Sequence, residues 1–222
     1  MEKRTKGFEN YLHNLSLDPA HLRAEAAWGT RLAEDEKGFL TDQNLLDDYK
    51  MSRVNSARYG CGWVACCNAL RLLDRPESPA RVIRSLEKWF VLGGKMGTHA
   101  LAVPAFFGKR GYRVRLSVLP GQLRKTAQSA PANILFYIRG PKRGGHFVAF
   151  APAGREKEGE PLFCFYNSQS VRDGARKPPA GETGRFFCAG GNKDERTLTE
   201  VLKKERPVLV WVFSIYKENR VK

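Results

Sequence analysis

The chain has 222 residues, 25.0 kDa and a hydrophobic share of 42% with 13 phenylalanines, enough for a sizeable core and too much for a chain disordered throughout. No apolar run approaches the roughly 18 residues of a membrane span. No apolar segment follows the first nine residues as a secretory signal requires. Five cysteines, two of them adjacent (Cys66 and Cys67), make a poor disulfide framework. These features lead us to expect a cytoplasmic protein with reduced thiols. Net charge is +15, and thirteen of the 23 carboxylates lie in the first 87 residues. Between Glu87 and Glu156 stand twelve lysines or arginines and no acid. Such a segment either forms a solvated face or attracts an acidic partner. No zinc-finger spacing, aromatic RNA-binding motif or helix-turn-helix supports a nucleic-acid partner.

Residues 1–54 are polar and mostly helical in pattern. A helix is predicted over 19–34, with Asp18 as its N-cap, Pro19 in its first turn and Leu22, Ala26, Trp28 and Leu32 as its apolar stripe. A second, short helix is predicted near 42–50, capped by Thr41 or Asp42. From Tyr59 the texture changes. The turn Tyr59-Gly60-Cys61-Gly62 leads into an apolar helix over 63–73, ended by Asp74-Arg75-Pro76. Ser78-Pro79 opens another helix, and after Gly93-Gly94 a third is expected from Thr98 to Phe107. The period then shifts towards two: strands are predicted at 112–118, 133–138, 146–151, 162–167, 185–188 and 208–216, with short helices at 120–127 and 198–203. Residues 152–161 would link two neighbouring strands, and 172–184 would form a long surface loop. Helices first and an antiparallel sheet second make the fold class α+β. We divide the chain into a helical N-terminal extension, 1–40, and one domain, 41–222.

Cys61 stands between Gly60 and Gly62 at a helix start, where the helix field and unpaired N–H groups favour a thiolate. Glycines there, like Gly145, let a substrate backbone come close. His146 heads the apolar strand Gly145-His146-Phe147-Val148-Ala149-Phe150. Asn167 ends the next strand, within reach of the His146 ring if the two strands are neighbours. Nucleophile, base and orienter are the parts of a thiol acyl-transfer site. Cys66 and Cys67, about two turns into the helix, read as core, and Cys164 and Cys188 as structural. His99 is the only rival base, and His13 and His21 read as surface residues. No ligand spacing suggests a metal site.

The segment Asn55-Ser-Ala-Arg-Tyr-Gly-Cys61-Gly-Trp, followed by an apolar helix, resembles the papain-like cysteine peptidase superfamily. The nearest likeness is to the bacteriocin-processing peptidases that act on double-glycine leaders, and phytochelatin synthases share a similar segment. The resemblance extends over about residues 41–216 through three short motifs, with His146-Phe147-Val148 and Asn167 supplying the other two. It implies a papain-like fold, helices packed on an antiparallel sheet, and a Cys61–His146–Asn167 triad that needs no cofactor. It also implies that Asn55, where those families carry Gln, donates to the oxyanion together with the Cys61 N–H. The substrate would be a peptide or protein, acidic if Arg139, Lys142 and Arg143 edge the cleft. The alternative is an inactive papain-like module that binds an acidic partner, with nucleic acid a weaker third reading.

Overall fold

The computed structural model describes residues 2–17, 37–40, 43, 46–139, 145–166 and 195–218. Predictions for 19–34, 172–184 and 185–188, and for Asn167, His21, Lys142, Arg143 and Cys188, lie outside these residues. The described part is α+β, with seven helices and a six-stranded antiparallel sheet besides a small two-stranded one. No described helix is long and apolar enough to cross a membrane.

Helix α1 (Glu2–Leu17) packs on the short hairpin of β1 (Lys50–Met51) and β2 (Val54–Asn55). The buried Asn14 makes this joint: its amide donates to the Lys50 carbonyl at 2.9 Å and its Oδ1 accepts from the Lys50 N–H at 2.7 Å. Of the helix expected near 42–50, residues 42, 44 and 45 and the cap Thr41 lie outside the described residues, and over 46–50 the expectation is corrected. Leu46, Tyr49 and Met51 are all fully buried, and the chain turns at Asp47–Asp48 into β1. Backbone partners supplied by Asn14 and by β2 outweigh a weak local helix preference.

A four-residue helix, α2 (Ser56–Tyr59), runs through Gly60 into α3 (Cys61–Leu72), which is buried on all sides along its first ten residues. A helix with no polar face belongs at the centre of a molecule. Asn68, mid-helix and buried, exchanges two hydrogen bonds with the Leu40 backbone and so pins 37–40 against it. Next come α4 (Pro79–Leu86) and α5 (Ala102–Gly108). The prediction that Thr98 starts α5 is corrected: Gly93, Gly94 and Gly97 take positive φ, the chain doubles back, and Thr98 bridges to Phe90. Only Gly has free access to such conformations, so the glycines decide the path here.

The sheet contains β3 (Tyr112–Ser117), β4 (Ala132–Ile138), β5 (Gly145–Lys157), β6 (Glu160–Tyr166), β7 (Arg196–Thr197) and β8 (Leu209–Lys217), in the order β3-β8-β4-β5-β6-β7. β5 and β6 are joined more tightly than expected. β5 continues past Pro152 through a bulge before Glu156, and a two-residue turn, Glu158-Gly159, closes the hairpin with both φ values positive. That is the turn geometry whose twist suits a hairpin, while the bulge accommodates a proline that has no N–H to give.

Strand alternation divides the core between two faces. Ile134, Phe147, Ala149, Phe213 and Ile215 face α3, α4 and α5. Leu135, Tyr137, Val148, Phe150 and Val212 face α6 (Pro120–Ser129) and α7 (Leu198–Glu205). α7 begins with a complete capping box: the Thr197 hydroxyl accepts from the Glu200 N–H, and the Glu200 carboxylate accepts from the Thr197 N–H.

Candidate active site

Cys61 is delivered to its place by a pinned approach. The buried Gln43 amide donates to the carbonyls of Ser56 and Ala57. The Ser56 hydroxyl donates to the Tyr49 carbonyl and accepts from the Trp63 indole N–H. Gly60 closes α2 and caps α3, its N–H donating to the Ser56 carbonyl at 2.7 Å. The space beside each of the three glycines expected to admit substrate is occupied by the protein itself. A Cβ on Gly60 would meet the Ser56 carbonyl and the Trp63 indole, one on Gly62 would meet Thr98, and one on Gly145 would meet the Phe136 ring. Packing alone thus accounts for all three.

The Cys61 sulfur lies against the start of β5, where it faces the Phe147 amide N–H. The amides of Cys61 and Gly62 and the charge of Arg139 also favour its thiolate, as a helix start should. Burial works against them and is the larger effect, pushing the thiol up to about 11. The sequence-based expectation of an activated thiolate is corrected on this point. Only 9% of the residue is exposed, and desolvation of a charge outweighs three amide dipoles and a guanidinium.

His146 is the second residue of β5, buried, and directly opposite Tyr137 on β4. The Tyr137 ring meets the imidazole edge-on, with centroids 5.7 Å apart and planes at 77°. Alternation places the ring on the Tyr137, Val148 and Phe150 face, whereas Phe147 faces α3. The thiol, coming from the α3 side, therefore reaches the strand at its main chain. Tyr137 is near enough to Cys61 to feel its charge, and its hydroxyl donates to Glu205 at the end of α7. Burial and the neighbouring carboxylate hold that hydroxyl well above the usual tyrosine range. Glu205 also pairs with Arg139 at 3.4 Å, and both side chains are mostly buried.

Asn55 lies at the end of β2, six residues before Cys61; its side chain is exposed and its Oδ1 accepts from the Lys50 ammonium at 3.2 Å. His99 is exposed, with its Nδ1 accepting from the Leu101 N–H and its ring against Trp89. His13 is exposed and bonded to the Asp48 carbonyl. Cys66 and Cys67 are buried, and desolvation raises the Cys66 thiol far out of the working range. Cys164 is partly buried, its thiol 3.9 Å from Glu195. Among the described residues no three His, Cys, Asp or Glu side chains gather as a metal site would need.

Sequence reasoning thus put Cys61 and the head of the His146 strand on the list, and the fold brings these two chain segments together. It missed Tyr137 and Glu205. Once 133–138 and 146–151 are read as a hairpin, the register would have placed Tyr137 opposite His146, but no local signal marks Glu205. Compared with family models, curated proteins and solved structures, the chain matches none.

Proposed function

We propose that the chain is a papain-like cysteine peptidase or a related thiol acyl-transfer enzyme. The observation that supports this most is the Cys61 thiol seated against the Phe147 amide, one residue from His146, at a helix start. In the proposed reaction the Cys61 thiolate adds to a peptide or isopeptide carbonyl. The Asn55 amide and the Cys61 N–H stabilise the oxyanion. As the C–N bond breaks, the His146 imidazolium gives its proton to the leaving amine, and the acyl group remains as a thioester on Cys61. Water or an acceptor amine then takes the acyl group, with His146 as base. Asn167 orients the imidazole, and the chemistry asks for no metal or organic cofactor. Acidic peptides or proteins of the cytoplasm are the preferred substrates, drawn by Lys142 and Arg143, since Arg139 is engaged by Glu205.

A thiol that burial, against the neighbouring amides and Arg139, still raises to about 11 is almost wholly protonated at pH 6, so rapid reaction there demands an imidazolium partner. The test is iodoacetamide labelling of Cys61 at pH 6 in the wild type and in His146→Ala. Fast labelling that the substitution abolishes supports the enzyme. A second reading, an inactive papain-like module that binds an acidic partner, is favoured by the burial of the thiol and by the exposed Asn55 engaged with Lys50. On that reading both proteins label slowly at pH 6 and respond alike to rising pH.

A further inference from the structure

We infer that Tyr137 is a positioning residue for the His146 imidazole, braced through its hydroxyl by Glu205 and, behind Glu205, by Arg139. The inference rests on the thiol-enzyme reading of Cys61 and His146. Residues directly opposite on antiparallel strands have Cβ atoms about 5 Å apart, so Tyr137 is the nearest cross-strand neighbour that β4 offers His146. Its ring stands edge-on to the imidazole at 5.7 Å and is only 2% exposed, a wall that limits how far the imidazole can rotate. Packing alone would be met by phenylalanine. Instead the site buries a hydroxyl, a carboxylate and most of a guanidinium at the end of α7, with Arg139 and Glu205 side chains 19% and 11% exposed. Withdrawing such charges from water is unfavourable, and the Arg139 Nε is left buried without a hydrogen-bond partner. A buried polar network of this kind fixes side-chain geometry where an apolar filling would not. It also gathers charge around Tyr137: Arg139 follows directly on β4, α7 contributes Glu205, and α3 contributes Cys61.

The role predicts a signature that general loosening of the fold would not give. On the thiol-enzyme reading, labelling near pH 6 depends on an imidazolium brought beside the sulfur, whereas labelling near pH 10 depends mainly on solvent hydroxide and access. Tyr137→Leu removes the wall and should lower the iodoacetamide rate at pH 6 on the order of 10-fold while changing the pH 10 rate less than 2-fold. Tyr137→Phe keeps the ring and should recover most of the pH 6 rate, within about 3-fold of wild type. Glu205→Gln should resemble Tyr137→Phe. A Tyr137→Leu protein with the wild-type rate at pH 6, or with equal losses at both pH values, overturns the inference. If that variant does not fold, Tyr137→Phe and Glu205→Gln decide: a selective fall of about 2- to 3-fold at pH 6 upholds the inference, and unchanged profiles in both overturn it. A wild type whose pH 6 labelling ignores His146→Ala defeats the enzyme reading itself, and the positioning role with it. These controls keep the two failures apart.

Discussion

Gly62 follows the candidate nucleophile, and two reasons for its lack of a side chain compete: room for a substrate and room for the protein's own Thr98. A Cβ on Gly62 would stand 2.5 Å from Thr98 Oγ1 and 2.6 Å from Thr98 Cβ. Thr98 cannot swing aside, because its backbone bridges to Phe90 and its side chain is buried. Gly62→Ala should gain up to about 1 kcal/mol of helix propensity and lose about 1–3 kcal/mol to overpacking. The net expectation is a destabilisation of about 1–2 kcal/mol. Thr98→Gly removes every atom of the clash, so in that background the alanine should be neutral or stabilising. The coupling between the two changes should then be about 2 kcal/mol, read from urea denaturation of the wild type, both single variants and the double variant. A coupling below about 0.5 kcal/mol would refute the packing explanation. The double variant then separates the two reasons. If it regains stability but not iodoacetamide access to Cys61, Gly62 also keeps the approach to the thiol open.

Three further outcomes are expected. Burial raises Cys61 from 9.0 to about 11, so the folded state holds the thiol proton more tightly than the unfolded one. The associated stability, at most about 2–3 kcal/mol, is fully present below pH 9.0 and lost as pH rises through about 11; urea midpoints across that window should therefore fall more steeply in the wild type than in Cys61→Ala. Thr197→Ala breaks the capping box of α7 and should cost about 1 kcal/mol, while a thermal melt unchanged within error would show that the cap is redundant. On the proposed mechanism, Asn55→Ala should slow acyl transfer from a peptide thioester on the order of 10²-fold and Asn55→Gln should largely preserve it; equal rates in wild type and Asn55→Ala would remove Asn55 from the oxyanion site.

The sequence by itself determined most of what is local. The α+β class, the buried helix beginning at Cys61 and the strand headed by His146 follow from apolar period and turn residues, which act within a few positions along the chain. The clearest local errors, at 46–50 and at Thr98, fall where a distant partner outweighs a weak propensity: Asn14 and β2 hold Lys50, and Phe90 holds Thr98. Charge was legible as a total and misleading as a pattern. Four cations of the acid-free segment find carboxylates from elsewhere in the chain: Arg110 with Glu77, Arg124 with Glu160, Arg139 with Glu205 and Arg155 with Glu195. Spacing could nominate Cys61 and His146, but ionisation depends on desolvation, a property of everything packed around the sulfur, including segments more than 80 residues away in the chain. The same holds for Tyr137 and Glu205, brought beside the candidate pair by strand register and by the docking of α7. Only the folded chain sets the thiol's proton affinity and the surroundings of the imidazole, because both depend on how completely water is excluded and on which distant groups take its place.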